Sequence, residues 1–224
     1  MVPVLQFVDV KKEYTSDRLA VRAVDGVSLE MAAGEMIALV GRSGCGKSTL
    51  LNLAGAMDFP TSGMVQIDGQ ATSGLDDMGL TRLRREKVGF IFQSFQLLPN
   101  LTAAENVELP LLLSGKKNAR DQALGRLARV ELEGLGHRYP HQLSGGQMQR
   151  VAIARALVHG PRLVLADEPI GNLDSTTGAN ILELLRRIVT EEGASIMMAT
   201  HSAESTAVAD RVVEMRDGRI ISPR

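Results

Sequence analysis

The sequence GRSGCGKS, residues 41–48, directly follows the apolar run MIALV (Met36–Val40). It matches the phosphate-loop pattern G-x-x-x-x-G-K-[ST], with a strand pattern before it and a helical pattern after it. Its three glycines allow successive backbone N–H groups to face one concavity, and the amino end of the next helix adds partial positive charge. The stretch therefore predicts the strand–loop–helix unit of an α/β fold that binds phosphate.

Each residue type in this loop suits a bound polyphosphate. Lys47 supplies a point charge between β- and γ-phosphates, and the Ser48 hydroxyl is a natural Mg²⁺ ligand. A glycine-rich turn with an incidental lysine is the alternative, which the eight-residue match and both flanks disfavour. Cys45 is interpreted as a small residue tolerated in the loop, with a redox switch as the alternative. The predicted phosphate-contacting residues are Gly41, Arg42, Ser43, Gly44, Cys45, Gly46, Lys47, Ser48 and Thr49.

Two adjacent acids follow a second apolar run, Leu163–Ala166. Because side chains alternate along a strand, Asp167 and Glu168 should point in different directions and serve different roles. We expect Asp167 to hold Mg²⁺ and Glu168 to polarise an attacking water. A strand end that meets solvent is the simpler explanation of two such acids. The phosphate loop favours the catalytic one, because ligands bind at the carboxyl ends of parallel strands.

Two more polar residues follow predicted strands. His201 comes after Ser195–Ala199, which places it beside the γ-phosphate, although a lone histidine is more often structural. Gln93 comes after Val88–Phe92 and can bind Mg²⁺ or the attacking water. Both are therefore candidate catalytic residues, together with Lys47.

The remaining pattern predicts further sheet elements around a helical insertion. A capping box at Thr102–Glu105 starts one helix, which Pro110 should keep from continuing far, and Asn118–Val130 forms a second. We assign residues 1–93 and 144–224 to a catalytic core and about 94–143 to an inserted helical subdomain. Other predicted strands are Val4–Val10, Val21–Met31, Met64–Ile67, Val212–Met215 and Arg219–Ile221, the last two joined as a hairpin by Asp217-Gly218.

The bulk composition excludes several functions. The chain has 224 residues, 25 Lys+Arg and 26 Asp+Glu, a net charge of -1, and only 3% aromatic residues. These values argue against nucleic-acid binding, which needs basic surface and stacking platforms. One cysteine permits no internal disulfide. We expect no secretory signal and no membrane span, so that another chain would supply any span.

The combined motifs resemble the ATPase subunits of ABC transporters along essentially the whole chain. The resemblance implies a P-loop NTPase with a mostly parallel sheet core, an N-terminal antiparallel β subdomain and an inserted α-helical subdomain. It also implies that Tyr14 stacks on adenine, although a lone tyrosine near a first strand can simply pack. The matching motifs are Walker A (41–48), Walker B (163–168), the Q-loop Gln93, the signature (143–147), the D-loop (172–174) and the switch histidine His201.

LSGGQMQR, Leu143–Arg150, is a second candidate phosphate-binding segment. Ser144 suits a helix N-cap, but a plain capped helix does not explain the two glycines that follow it. The resemblance implies that these residues close over ATP bound to another subunit, in an ATP-dependent head-to-tail homodimer. The implied contacts in trans are Ser144, Gly145, Gly146, Gln147 and Asp174.

A narrower similarity, over 90–107 and 166–175, is to the macrolide-export and lipoprotein-release ATPases. It implies a cytoplasmic ATP-hydrolysing subunit, peripheral on the inner face of the cell membrane, that drives transmembrane permease subunits by mechanotransmission. The alternative is a cell-division-type ATPase that signals through a membrane partner without transport. Ile170 and Arg42 depart from the subfamily, which usually has threonine and a small residue or proline there. The short, single module disfavours DNA-repair and translation ATPases, and Glu168 with His201 disfavours a non-hydrolysing module.

Overall fold

The computed structural model describes residues 2–16 and 19–223, so the predicted domain limits 1 and 224 lie outside the described residues. The described residues form ten strands and seven α-helices. The strands are β1 (Leu5–Ser16), β2 (Leu19–Met31), β3 (Met36–Val40), β4 (Ser62–Ile67), β5 (Gln70–Ala71), β6 (Val88–Phe92), β7 (Leu163–Asp167), β8 (Ser195–Thr200), β9 (Arg211–Arg216) and β10 (Arg219–Pro223). The helices are α1 (Lys47–Ala54), α2 (Asp77–Lys87), α3 (Ala103–Leu113), α4 (Ala119–Arg129), α5 (Gly145–Leu157), α6 (Ser175–Glu192) and α7 (Ala203–Ala207).

The core sheet has six strands in the order β10-β9-β3-β8-β7-β6, and every neighbouring pair is parallel except β9 and β10. Its central strands are buried on both faces, which is why their sequences are apolar runs without alternation. Successive residues belong to different clusters: Leu165 faces α1 and the second sheet, whereas Val164 and Ala166 face α5 and α6. The chain therefore has the three-layer arrangement of an α/β fold.

A smaller antiparallel sheet, in the order β2-β1-β4-β5, covers one side of this core. Helix α1 lies between the two sheets and buries Leu50, Leu51, Leu53 and Ala54. This sheet confirms the predicted N-terminal antiparallel β unit. It also supports the phosphate loop through the β9–β10 turn, because Asp25 N–H of β2 donates to the carbonyl of Gly218, and Gly218 N–H donates to the carbonyl of Cys45 in the loop.

Along the chain, the helices α3, α4 and α5 come between β6 and β7. In the core sheet these two strands are hydrogen-bonded neighbours, so the three helices form an insertion between them. The predicted capping box is present, since Thr102 N–H donates to Glu105 Oε2 at 2.7 Å. Helix α3 ends at Leu113, three residues after Pro110, in keeping with the expectation that this proline keeps the helix from continuing far. Burial of Val107 and Leu111 on the same helical face offsets the hydrogen bond that Pro110 cannot donate.

The register of the core sheet brings its functional loops to one edge. Val40 lies opposite Thr200, Ala199 opposite Asp167, and Asp167 opposite Phe92. Parallel strands that end in register deliver the residues following them to the same edge. The segments that follow β3, β6, β7 and β8 contain the four candidate catalytic residues predicted from the sequence, namely Lys47, Gln93, Glu168 and His201.

Candidate active site

The phosphate loop connects β3 to α1 as a tight turn that only glycine permits at two points. Gly41 and Gly46 have φ angles of 152° and 105°. A Cβ at Gly41 would lie 2.3 Å from the carbonyl oxygen of Met215, and one at Gly46 would lie 2.2 Å from that of Ala23. These positions therefore exclude any side chain, independently of ligand binding. Cys45 is buried in the loop, where a small side chain fits.

Lys47 is folded back over the loop. Its ammonium group donates to the carbonyl oxygens of Gly41 at 2.7 Å and Arg42 at 3.2 Å. Arg42 itself is exposed, so the residue that departs from the subfamily contributes its backbone to this contact and leaves its side chain in solvent. Among the described residues, the hydrogen bonds of this ammonium group go to carbonyl oxygens, so it is available to bind phosphate oxygens, which are stronger acceptors.

Ser48 and Asp167 form the candidate metal site. The Ser48 hydroxyl donates to Asp167 Oδ2 at 3.1 Å. Partial burial, and then the neighbouring Glu168 carboxylate, raise the pKa of Asp167, while Ser48 and Lys47 act in the opposite direction. A desolvated carboxylate beside a hydroxyl is an oxygen donor set that fits Mg²⁺, which typically takes one or two protein oxygens together with substrate phosphates. Among residues 2–16 and 19–223, no cluster of three His, Cys, Asp or Glu offers an all-protein metal site.

Glu168 adopts a backbone conformation that is unusual outside glycine. Its φ angle is 47°, and its N–H donates to the carbonyl of Ala199 on β8 at 2.9 Å. A non-glycine residue in the left-handed region costs about 1–3 kcal/mol and is typical of functional sites. The turn brings Glu168 Oε1 to 2.7 Å from Nδ1 of His201, whose ring is 73% exposed. The structure thus joins the two predicted catalytic residues at the carboxyl edge of the core sheet, with the His201 side chain open to solvent and that of Glu168 largely buried.

Gln93 is paired with a residue that the sequence analysis did not assign to it. Its Nε2 donates to Asn172 Oδ1 at 3.2 Å, and Asn172 Nδ2 donates back to the carbonyl of Gln93 at 3.0 Å. Within the described part of the chain, Gln93 makes no hydrogen bond to Ser48 or Asp167. Gln93 therefore lies at the predicted edge, but this structure does not bring it into the Ser48–Asp167 pair.

Tyr14 lies beside the phosphate-loop helix and is 44% exposed. Its hydroxyl donates to Asp58 at 2.7 Å, and the Lys12 ammonium lies 4.9 Å from the ring centroid. Partial burial, then Asp58, raise the pKa of Tyr14, while a hydrogen bond with Thr49 acts in the opposite direction. An accessible ring close to Thr49 is compatible with the predicted adenine contact, which stays a prediction.

The signature segment begins α5 with a complete capping box. Ser144 Oγ accepts from the N–H of Gln147 at 3.3 Å, and Gln147 Oε1 accepts from the N–H of Ser144 at 2.9 Å. A Cβ at Gly146 would lie 2.5 Å from the methyl carbon of Thr177 on α6. Close packing within the chain therefore supplies a reason for Gly146 that the sequence analysis missed, in addition to approach by an anion.

Asp174 serves as the N-cap of α6. Its two carboxylate oxygens accept from the N–H of Thr177 at 3.0 Å and from the Thr177 hydroxyl at 2.6 Å. These hydrogen bonds, that of the Thr177 side chain above all, lower the pKa of Asp174. Asp174 thus fixes the side chain whose methyl lies on Gly146. Among the described residues, no hydrogen bond connects residues 144–147 or 174 with the phosphate loop.

Ile170, one of the two departures from the subfamily pattern, lies in an apolar environment. It faces Gly178 on α6, where an added Cβ would lie 3.5 Å from Ile170 Cβ, and it packs against the apolar cluster formed by the helices and one face of the core sheet. The isoleucine therefore replaces the subfamily's usual threonine with apolar packing and removes none of the polar groups described above.

A phosphate loop after one parallel strand, two acids after a neighbouring strand and a mostly parallel sheet define a P-loop nucleoside triphosphatase. The family described as "ABC transporter" matches residues 24–171. The chain belongs to this family and is an ABC-type ATP-binding and ATP-hydrolysing domain.

The sequences of relatives align with this chain along nearly its whole length. An uncharacterized ABC transporter ATP-binding protein of Thermotoga maritima is 48% identical over 98% of this chain and 94% of its own length. The macrolide export ATP-binding/permease protein MacB of Burkholderia pseudomallei is 46% identical over 99% of this chain. The chain spans about a third of the MacB relatives' length, 34%.

Solved structures share the fold. The ATP-binding cassette MJ0796, in a dimeric post-hydrolysis state bound to ADP and Pi, superposes with a TM-score of 0.90 at 42% identity, over 98% of this chain and 97% of the other. The protein cbiO1 of Clostridium perfringens, part of the ABC transporter complex cbiONQ, gives a TM-score of 0.88 at 29% identity, over 99% of this chain and 88% of the other. In the described residues, no helix is both long and apolar enough to cross a membrane.

Proposed function

We propose that this chain is the motor subunit of an ABC transporter of the mechanotransmission or export type, in which ATP-driven dimer closure moves a transmembrane permease. The observation that carries the proposal is the register of β3, β6, β7 and β8, which places Lys47, Asp167, Glu168 and His201 along one sheet edge. We retain 1–93 and 144–224 as the catalytic core and 94–143 as the helical subdomain.

The residues divide the work by chemical type. Lys47 and the loop N–H groups of residues 41–49 bind the β- and γ-phosphates, and Tyr14 contacts adenine. Ser48, Asp167 and Gln93 hold Mg²⁺, which when bound neutralises phosphate charge during transfer. The support for this set is the hydrogen bond between Ser48 and Asp167 and the desolvation of the Asp167 carboxylate.

Glu168 accepts the proton of the attacking water. Its carboxylate is a suitable base because the left-handed turn carries it out of the strand to a largely buried position beside the exposed ring of His201. A carboxylate can only accept, so the Nδ1–H of His201 donates to Glu168 Oε1 and fixes the orientation of that carboxylate. The exposed ring face of His201 remains free to contact a γ-phosphate.

A second copy of the chain completes each site. Ser144, Gly145, Gly146, Gln147 and Asp174 are proposed to close over ATP held by the other copy. The support is that the α5 amino terminus, with its partial positive charge, makes no hydrogen bond to the phosphate loop of its own chain among the described residues. The solved structure of MJ0796 is likewise dimeric.

The permease partner is proposed to bind a groove between the core and the helical subdomain. The groove has a volume of about 540 Å³. Phe90 and Phe92 of β6 form one wall, and Leu109 and Leu113 of α3 form the other. Gln96, in the loop that follows Gln93, also lines it, so a bound segment would contact the loop that leads to the active site. This contact would hold the chain on the inner face of the cell membrane.

Lys47→Ala tests the nucleotide assignment. We expect affinity for MgATP to fall by about 10- to 150-fold, because a charge-assisted contact contributes roughly 1.5–3 kcal/mol. Isothermal titration of purified protein measures it, with Lys117→Ala on an exposed surface as the matched control. Thermal melting of both variants shows whether losing the Lys47 contacts with the loop carbonyls lowers the stability of the fold, which must be separated from the loss of nucleotide binding. Equal affinity in the wild type and Lys47→Ala would refute the assignment.

Leu113→Glu tests the groove. Leu113 is 62% exposed, so the variant should fold and keep the ATPase rate of the isolated chain. We expect it to lose copurification with the membrane partner because a carboxylate enters an apolar contact. Leu112→Glu, 55% exposed and outside the groove, is the control and should retain the partner. If both variants retain the partner, the groove is not the interface.

A separate measurement distinguishes the two candidate roles of the complex. Substrate-stimulated ATPase activity of the wild-type complex would favour transport over cell-division signalling.

A further inference from the structure

The reciprocal amide pair between Gln93 and Asn172 fixes the orientation of both side chains. A backbone carbonyl can only accept a hydrogen bond, so the Asn172 group that faces the carbonyl of Gln93 must be its NH₂. The other end of Asn172, Oδ1, then faces the Gln93 side chain and requires a donor there. Gln93 must therefore present Nε2 to Asn172, which leaves its Oε1 oxygen without a hydrogen bond among the described residues.

The surroundings of Gln93 support this orientation. A Cβ at Gly171 would lie 2.7 Å from Gln93 Nε2, so the glycine leaves room for the amide beside the loop. On the other side, Phe95 and Gln96 have positive φ angles of 61° and 52°. The Arg155 guanidinium donates to both of their carbonyl oxygens. The segment that carries Gln93 is thus held by α5 at one end and by Asn172 at the other.

We propose that Asn172 is a positioning residue that holds the Gln93 amide with its oxygen free for Mg²⁺ at the bound nucleotide. This inference rests on the proposed function, in which Gln93 is a metal contact. An amide binds Mg²⁺ only through its oxygen. If Asn172 is lost, Gln93 can rotate about its terminal torsion and present its NH₂ group to the cation, which is repulsive.

Equilibrium binding without turnover tests the inference. The quantity measured is the gain in affinity for adenylyl imidodiphosphate when Mg²⁺ replaces EDTA, by isothermal titration. We expect Asn172→Ala to lower this gain about fivefold, as loss of one or two ordinary hydrogen bonds does, and to leave affinity in EDTA unchanged. Asn180→Ala, exposed on α6, should leave both values unchanged. Gly171→Ala keeps Asn172 and displaces the flexible end of Gln93, so it should lower the gain in the same direction.

A second background separates this inference from the proposed function. In Gln93→Ala protein, where the gain should already be lowered, Asn172→Ala should have no further effect. If Gln93→Ala leaves the gain unchanged, the metal role of Gln93 fails and this inference fails with it. If Gln93→Ala lowers the gain and Asn172→Ala does not, only the positioning role is refuted. An equal effect of Asn172→Ala in both backgrounds, or an increased gain, would also overturn it.

Discussion

Glu168→Gln is expected to slow ATP turnover by about 10²–10⁴-fold, the usual contribution of a general base, while MgATP affinity stays within about twofold. Glutamine has the same shape as glutamate and its oxygen can still accept from Nδ1 of His201, so the contact at 2.7 Å can persist. What it loses is the ability to take a proton from water. Phosphate release measures turnover, and binding of a fluorescent ATP analogue measures affinity.

Two further variants locate this effect at the base. Glu183→Gln, exposed on α6, makes the same chemical change away from the site and should hydrolyse ATP at the wild-type rate. Glu168→Asp keeps a carboxylate but shortens its reach, so its rate should lie between those of the wild type and Glu168→Gln. Unchanged turnover in Glu168→Gln would remove Glu168 from the catalytic role. Loss of ATP binding would instead indicate that the left-handed turn at Glu168 supports the nucleotide pocket.

The sequence was most informative where one pattern had one physical cause. Met36–Val40 and Val88–Phe92 were predicted with the bounds of β3 and β6, because buried parallel strands are short apolar runs. Helix α2 was not predicted from the sequence, because only Leu80 and Leu83 are buried in it and most of its residues are polar. With so narrow an apolar stripe, periodicity gives little signal, and contact with the core decides that the segment is helical.

In the candidate active site, too, features set by local sequence pattern could be predicted, and features set by tertiary contacts could not. The motif residues and their strand-end positions could be predicted because they depend on local pattern and register. The pairing of Gln93 with Asn172, 79 residues apart, could not, because it depends on how two loops meet. Gly146 is a further case, since the sequence indicated an anion while the structure adds the methyl group of Thr177 as a neighbour. A glycine can satisfy both requirements, and only variants that separate them can assign its role.

Ser144→Arg is expected to abolish ATP-driven dimerisation and to leave ATP affinity of the monomer within about twofold. Ser144 is exposed at the amino end of α5, and in its own chain the described residues provide no hydrogen bond from residues 144–147 to the phosphate loop. Arginine removes the cap on Gln147 N–H and places a long side chain where the other copy's γ-phosphate would approach. The loss should therefore appear only in the step that joins two copies.

The Glu168→Gln background makes this step measurable, because ATP persists there long enough for dimers to accumulate. Light scattering after size exclusion, with and without MgATP, reports the mass. Ser144→Ala is the matched control: it loses the same cap, at a cost of about 1 kcal/mol in stability, but leaves the space open. It should still dimerise, at higher ATP or protein concentration, whereas Ser144→Arg should stay monomeric throughout. If Ser144→Arg instead weakens ATP binding by the monomer and spares dimerisation, then α5 contacts nucleotide within its own chain and the proposed site in trans is wrong.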